Sequence, residues 1–228
     1  MDHALAELIA AAVTFVGTHF ALSHPLRQPI VKVAGDKGFQ AIYSLVALAS
    51  FAWMAMAFRR VPNDVLPLWD GTKPVAWALA TVIMLVASVL LVGSFAGNPA
   101  LPAPGARELA KQKPRGVFQV SRHPMMWSFA LWSAAHVLVS PVPQVIALCA
   151  AIAFLALAGA SLQDGKKRDQ LGSAWTKWEE HTSYWPRLGR LHRAGAVAWI
   201  AGLALWLAAC WAHIWAAGIP AGPWRWIG

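Results

Sequence analysis

Hydrophobic residues gather in six long runs, at roughly 4–22, 39–58, 74–97, 123–140, 143–163 and 194–217. Each is long enough, or nearly so, for the ~20 residues a helix needs to cross a bilayer. The pattern predicts an all-α polytopic membrane helix bundle with about six transmembrane helices, built as one domain over 1–228. The fourth run is the shortest. Only Ser140-Pro141-Val142-Pro143 separates it from the fifth, so these two should form an antiparallel hairpin. Two polar stretches are more than connectors. Residues 98–121, rich in Pro and basic residues, should pack as a loop over the bundle. Residues 164–193 read as a polar helix with Leu171, Trp175 and Trp178 on one stripe. Tryptophans beside Lys and Arg suit a helix lying at the membrane interface, with a gating role as a second reading.

Composition agrees with burial in lipid. The chain is 58% hydrophobic and only 13% charged, where soluble domains carry about 25% charged residues. The net charge of +9 would suggest nucleic acid if it were spread evenly, but it is not. Fifteen of the 19 Lys and Arg residues fall in the three stretches on one side of the predicted spans, among them Arg27, Arg107, Arg122, Lys166 and Arg187. Basic loops stay in the cytoplasm, so both termini are expected outside and no nucleic-acid partner is needed. Membrane lipids, including anionic head groups, are the expected partners. Asp2 and Glu7 without a basic residue argue against a cleavable signal in the first run. Cys149 and Cys210 lie inside apolar runs without CxxC spacing, so neither a disulfide framework nor a zinc site is expected.

Histidines are the candidate chemistry. His19, His24, His123, His136 and His213 lie in or at the edge of spans. An imidazole in hydrocarbon needs a partner, which is either a neighbouring helix or a metal. His136 shares a helical face with Trp132, Phe129 and Met125, and Ser133 lies one turn before it. Such a face suits a porphyrin plane or plain helix packing. His213 follows Trp206 and Cys210 on a second aromatic face. Arg122-His123-Pro124 opens the fourth helix. Pro fits the first helical position, and Arg122 and His123 then lie at an anion-attracting helix start, or Arg122 is simply one more inside-positive residue.

Phe15-Val16-Gly17-Thr18-His19, Leu26-Arg27, Gly35-Asp36-Lys37-Gly38-Phe39, Asn98-Pro99, Ser121-Arg122-His123-Pro124 and Leu131-Trp132 with Ala135-His136 together resemble the NnrU family of bacterial membrane proteins, over roughly 10–190. The helix at 194–217 adds little to the likeness. The family is related to the zeta-carotene isomerase Z-ISO and, more distantly, to isoprenylcysteine carboxyl methyltransferases. The resemblance implies a bacterial cytoplasmic (inner) membrane protein tied to denitrification, through nitrite and nitric oxide reductase production or function. The isomerase branch implies haem b with axial ligands matching His19 and His136. Arg27, Arg122, His123, Trp132 and Ser133 complete the set of candidate cofactor-binding residues. That branch places a cysteine where Ser133 stands, so its redox-linked ligand exchange does not carry over. The methyltransferases place paired glutamates where this chain has Gly165-Lys166-Lys167-Arg168-Asp169, which counts against methyl transfer.

Depth sets a test for the haem pair. At ~1.5 Å per residue, His19 should lie about 6 Å below the basic edge and His136 about 21 Å below it. Two ligands on one iron should be about 4 Å apart. Depth alone pairs His19 with His123, or His136 with His213, so these two are rivals to the family pair. The expected function is a haem-binding accessory of nitrogen-oxide metabolism, with nitric oxide as a ligand. The alternative is a haem-dependent cis–trans isomerase of an apolar polyene.

Overall fold

Prolines set the starts of three helices in the computed structural model, which describes residues 3–62, 65–101 and 104–227. Pro74, Pro124 and Pro143 each open a helix, where the missing N–H costs nothing. The helices are α1 (His3–Ser23), α2 (Arg27–Arg60), α3 (Pro74–Gly93), α4 (Ala106–Lys111), α5 (Pro124–Val139), α6 (Pro143–Leu171), α7 (Ser173–His181), α8 (Ala196–Ala217) and α9 (Trp224–Ile227). Two 3-10 turns, Gly116–Gln119 and Leu188–Arg193, complete the order. The all-α polytopic bundle is as expected. Five helices, α1, α2, α3, α6 and α8, are long and apolar enough to cross a membrane. The sixth, α5, has 16 residues and spans only about 24 Å at ~1.5 Å per residue. The segment after α2 covers its end: the Trp69 indole N–H donates to the Leu138 carbonyl at 3.1 Å, and the Leu68 amide to the Pro141 carbonyl at 3.0 Å.

The long helices pack in the order α2, α1, α6, α5, α3, α8. The second predicted run gains eight residues of helix before a break at Gly35 (φ 70°), where Arg27 opens a short arm ahead of the span proper. At one end α1, α2 and α6 close on Leu8, Ala11, Ala12, Met54 and Ala57. The α3–α8 contact is closer still. A Cβ on Gly202 would stand 2.7 Å from the Val89 Cα, a backbone atom that cannot turn aside. Gly202→Ala should therefore cost about 1–3 kcal/mol, read as a lower unfolding midpoint in detergent. An unchanged midpoint would contradict the close approach.

The described residues of the 98–121 stretch do pack over the bundle, as a cap. Ala100, Ala110, Val117, Phe118 and Val120 join Val89 and Leu90 of α3 in one buried cluster. The reading of 164–193 as one interfacial helix is corrected. Helix α6 runs on to Leu171, breaks at Gly172 (φ 56°), and α7 folds back onto the cap. Trp175 and Trp178 are 0% and 3% exposed, inside the same cluster as Phe118. The apolar stripe was real, but protein rather than lipid covers it. Arg107 fixes the turn by donating to the Leu171 and Gln170 carbonyls at 2.8 and 3.0 Å, which satisfies acceptors that a helix end leaves open.

Candidate functional site

A cavity of about 580 Å³ lies between α1, α2, α5 and α6 at the end of the bundle where the basic stretches gather. That volume is in the usual range for small-molecule and cofactor pockets. Phe15, Phe20, Phe51, Met126, Phe129 and Leu155 supply apolar wall. Toward the helix ends the lining turns polar, with Ser23, His24, Arg27, Gln163, Lys166 and Lys167. The cavity exists because the buried packing between α1, α2 and α6 is confined to their other ends.

His19 stands on this wall. Its ring lies 4.4 Å from that of Phe15 and 5.6 Å from that of Tyr43, centroid to centroid. Nδ1 is 2.7 Å from the Phe15 carbonyl. A carbonyl only accepts, so Nδ1 is the donor, and in the neutral ring the lone pair is left on Nε2. A backbone acceptor on one nitrogen is how ligating histidines are usually oriented. An apolar chamber, one imidazole with a free lone pair and a cationic end together fit haem b, whose macrocycle is apolar and whose edge carries two propionates.

His136 is elsewhere. Its ring packs 4.1 Å from Trp132 and 6.0 Å from His213, and it is not part of the cavity wall. His136 and His213 each bond the carbonyl four residues back, Trp132 and Ala209, at 2.8 Å. The structure therefore brings His136 beside His213, one of the two pairs that depth allowed; the other, His19 with His123, is not brought together, since His19 stands on the cavity wall and His123 is bound to Asp164. Ser133 is buried and donates to the Phe129 carbonyl at 2.9 Å. Trp206 and Cys210 on α8 are buried. Among the described residues, no group of three or more His, Cys, Asp and Glu is arranged to hold a metal ion.

Arg122 and His123 form a third centre, around Asp164 of α6. Arg122 Nε lies 3.1 and 2.9 Å from the two carboxylate oxygens, and one guanidinium nitrogen lies 2.6 Å from Oδ2. His123 Nε2 lies 2.8 Å from Oδ1, so the carboxylate takes up that nitrogen. Glu179 of α7 stands 3.6 Å from Arg122 and is held by Arg168 at 2.8 Å. Tyr184 closes the group. Its hydroxyl donates to the Leu157 carbonyl at 2.7 Å, and its own carbonyl accepts from Ser121 and Trp127, each at 2.8 Å. Burial, and then the Asp164 charge, raise the phenol's pKa above its usual value, so it stays protonated. Arg122 is thus more than a topological charge: it ties the start of α5 to α6 and α7. A small cavity beside His123 shares Ala100, Met126 and Gln163 with the large one.

Sequence reasoning missed Asp164 and read Lys166 and Lys167 as topology only. A signal was available, since ionisable residues continuing an apolar helical run tend to face the bundle interior.

These features define a polytopic α-helical membrane protein with an internal, amphipathic ligand cavity. A family model described as "NnrU protein" matches residues 7–221, and the chain belongs to that family. The match takes in α8, beyond the 10–190 expected from the motifs. No curated protein and no solved structure matches the chain.

Proposed function

We propose that the protein binds haem b in the α1–α2–α5–α6 cavity, where His19 would hold its iron, and serves nitrogen-oxide metabolism in the bacterial cytoplasmic membrane. The observation that carries this is His19 itself: an imidazole on an apolar wall, with Nδ1 bonded to the Phe15 carbonyl and Nε2 free. Haem, when bound, supplies an iron that takes up nitric oxide and exchanges one electron. The chain's own contribution is to orient His19, to exclude water with Phe15, Phe20 and Phe129, and to meet the propionates with the cationic end. This fits a role in nitrite and nitric oxide reductase production or function.

The test is the visible spectrum of the detergent-purified protein. A Soret band is expected in the wild type, lost or shifted in His19→Ala and unchanged in His136→Ala. Absence of the band from wild type reconstituted with haem would sink the proposal. The 6.0 Å approach of His136 to His213 favours a second reading, haem held there. Loss of the band in His136→Ala and His213→Ala, with His19→Ala intact, would select it. Conversion of an added cis-polyene by the reduced protein would assign the isomerase activity instead of an accessory role.

A further inference from the structure

Lys167 is only 7% exposed, yet no carboxylate is paired with it. Lys166 and Lys167 both face the large cavity, and among the described residues neither ammonium has an ion pair or hydrogen bond. Among the described residues the exposed Asp169 forms no ion pair with either lysine, and two other acids are already engaged. Asp164 is taken by Arg122 and His123, and Glu179 by Arg168. Arg27, on the same wall, lies 3.5 Å from the exposed Asp36 and 5.3 Å from the centroid of the Phe39 ring. A buried ammonium without a counter-charge is costly, and two of them beside a guanidinium repel one another. Gln163, Lys166, Lys167 and Gln170 follow one another at the spacing of one helical face, and all four line the cavity. The cationic cluster is therefore built into the chamber rather than spread over a solvated surface.

We infer that Lys167, Lys166 and Arg27 seat the anionic head, carboxylate or phosphate, of an amphipathic ligand whose apolar body lies against Phe20, Phe129 and Leu155. The inference deepens the functional reading and rests on the same cavity, since haem b with its propionates is one such ligand. It does not depend on the iron or on His19. Anion and tail are both required: the head neutralises the lysines, and the tail fills the apolar chamber.

The experiment uses the full chain in phosphatidylcholine nanodiscs with five probes: the fluorescent polyene carboxylate cis-parinaric acid, its methyl ester, inorganic phosphate, haem b and the dimethyl ester of haem b. Charge-assisted hydrogen bonds contribute about 1.5–3 kcal/mol, so the acid should bind roughly ten-fold or more tightly than the ester. The double variant Lys166→Gln/Lys167→Gln should erase that preference while leaving ester binding unchanged, and its ligand-free unfolding midpoint should be no lower than that of the wild type, because it removes unpaired charge. Lys167→Arg should keep the preference. Millimolar phosphate should fail to displace the acid. Equal binding of acid and ester by the wild type, or an undiminished preference in the double variant, would overturn the inference. Displacement by phosphate alone would do so too, by showing a site for a free anion. Haem binding lost with the parinarate preference intact would remove only the haem reading. Haem b and its dimethyl ester binding alike, through His19, would remove only this one.

Discussion

Replacing Asp164 by alanine is expected to lower the unfolding free energy by about 3–5 kcal/mol, the usual cost of removing one partner from a buried ion pair. Asp164 is 4% exposed and accepts from both Arg122 and His123. Without it two buried donors lose their acceptor at once. Glu179 lies 3.6 Å from Arg122 but is committed to Arg168, so it offers little compensation. Denaturant unfolding in mixed micelles measures the change, and a loss under about 1 kcal/mol would mean the network is not coupled as described. Arg122→Met/Asp164→Leu should recover part of the loss, because an apolar replacement of both partners leaves no charge stranded.

The second large effect is at Trp175. Its side chain is fully buried between the cap and the bundle, so Trp175→Ala should cost about 3–5 kcal/mol. Its indole N–H has no partner, so Trp175→Phe should cost far less: the ring's volume is what matters there. A tryptophan lying at a lipid interface would give a small change in both variants. Equal, small shifts of the unfolding midpoint would therefore restore the interfacial placement that the charge pattern first suggested.

Much of the bundle could be read from the chain because apolar run length and helix-opening prolines are local signals. Pro74, Pro124 and Pro143 place three helix starts to the residue or nearly so. Local signals stop at the question of what covers a face. The Leu171, Trp175, Trp178 stripe says that something apolar lies against it, and both lipid and Phe118 satisfy that demand. Pairings across the chain are harder still. Arg122 looked like topology because its partner is 42 residues away, on a helix whose polar end seemed to belong to a separate element. Depth arithmetic did better with the histidines, since position along a spanning helix is nearly a coordinate in space. It brought His136 toward His213, but its other pairing, His19 with His123, fails because the lateral position of a helix is not given by depth and His123 faces Asp164.

The separation of Arg122 from Asp164 has a consequence for biosynthesis. The ribosome delivers Arg122 first, and α5 must enter the membrane while its guanidinium still has no acceptor. Only after the whole apolar length of α6 has emerged does Asp164 arrive, and Glu179 follows. The short α5 would thus settle only once α6 is in place, waiting for its neighbour to secure it. A chain truncated between Val142 and Asp164 should leave the first five segments made but α5 loosely inserted, a vulnerable state for membrane proteases during synthesis.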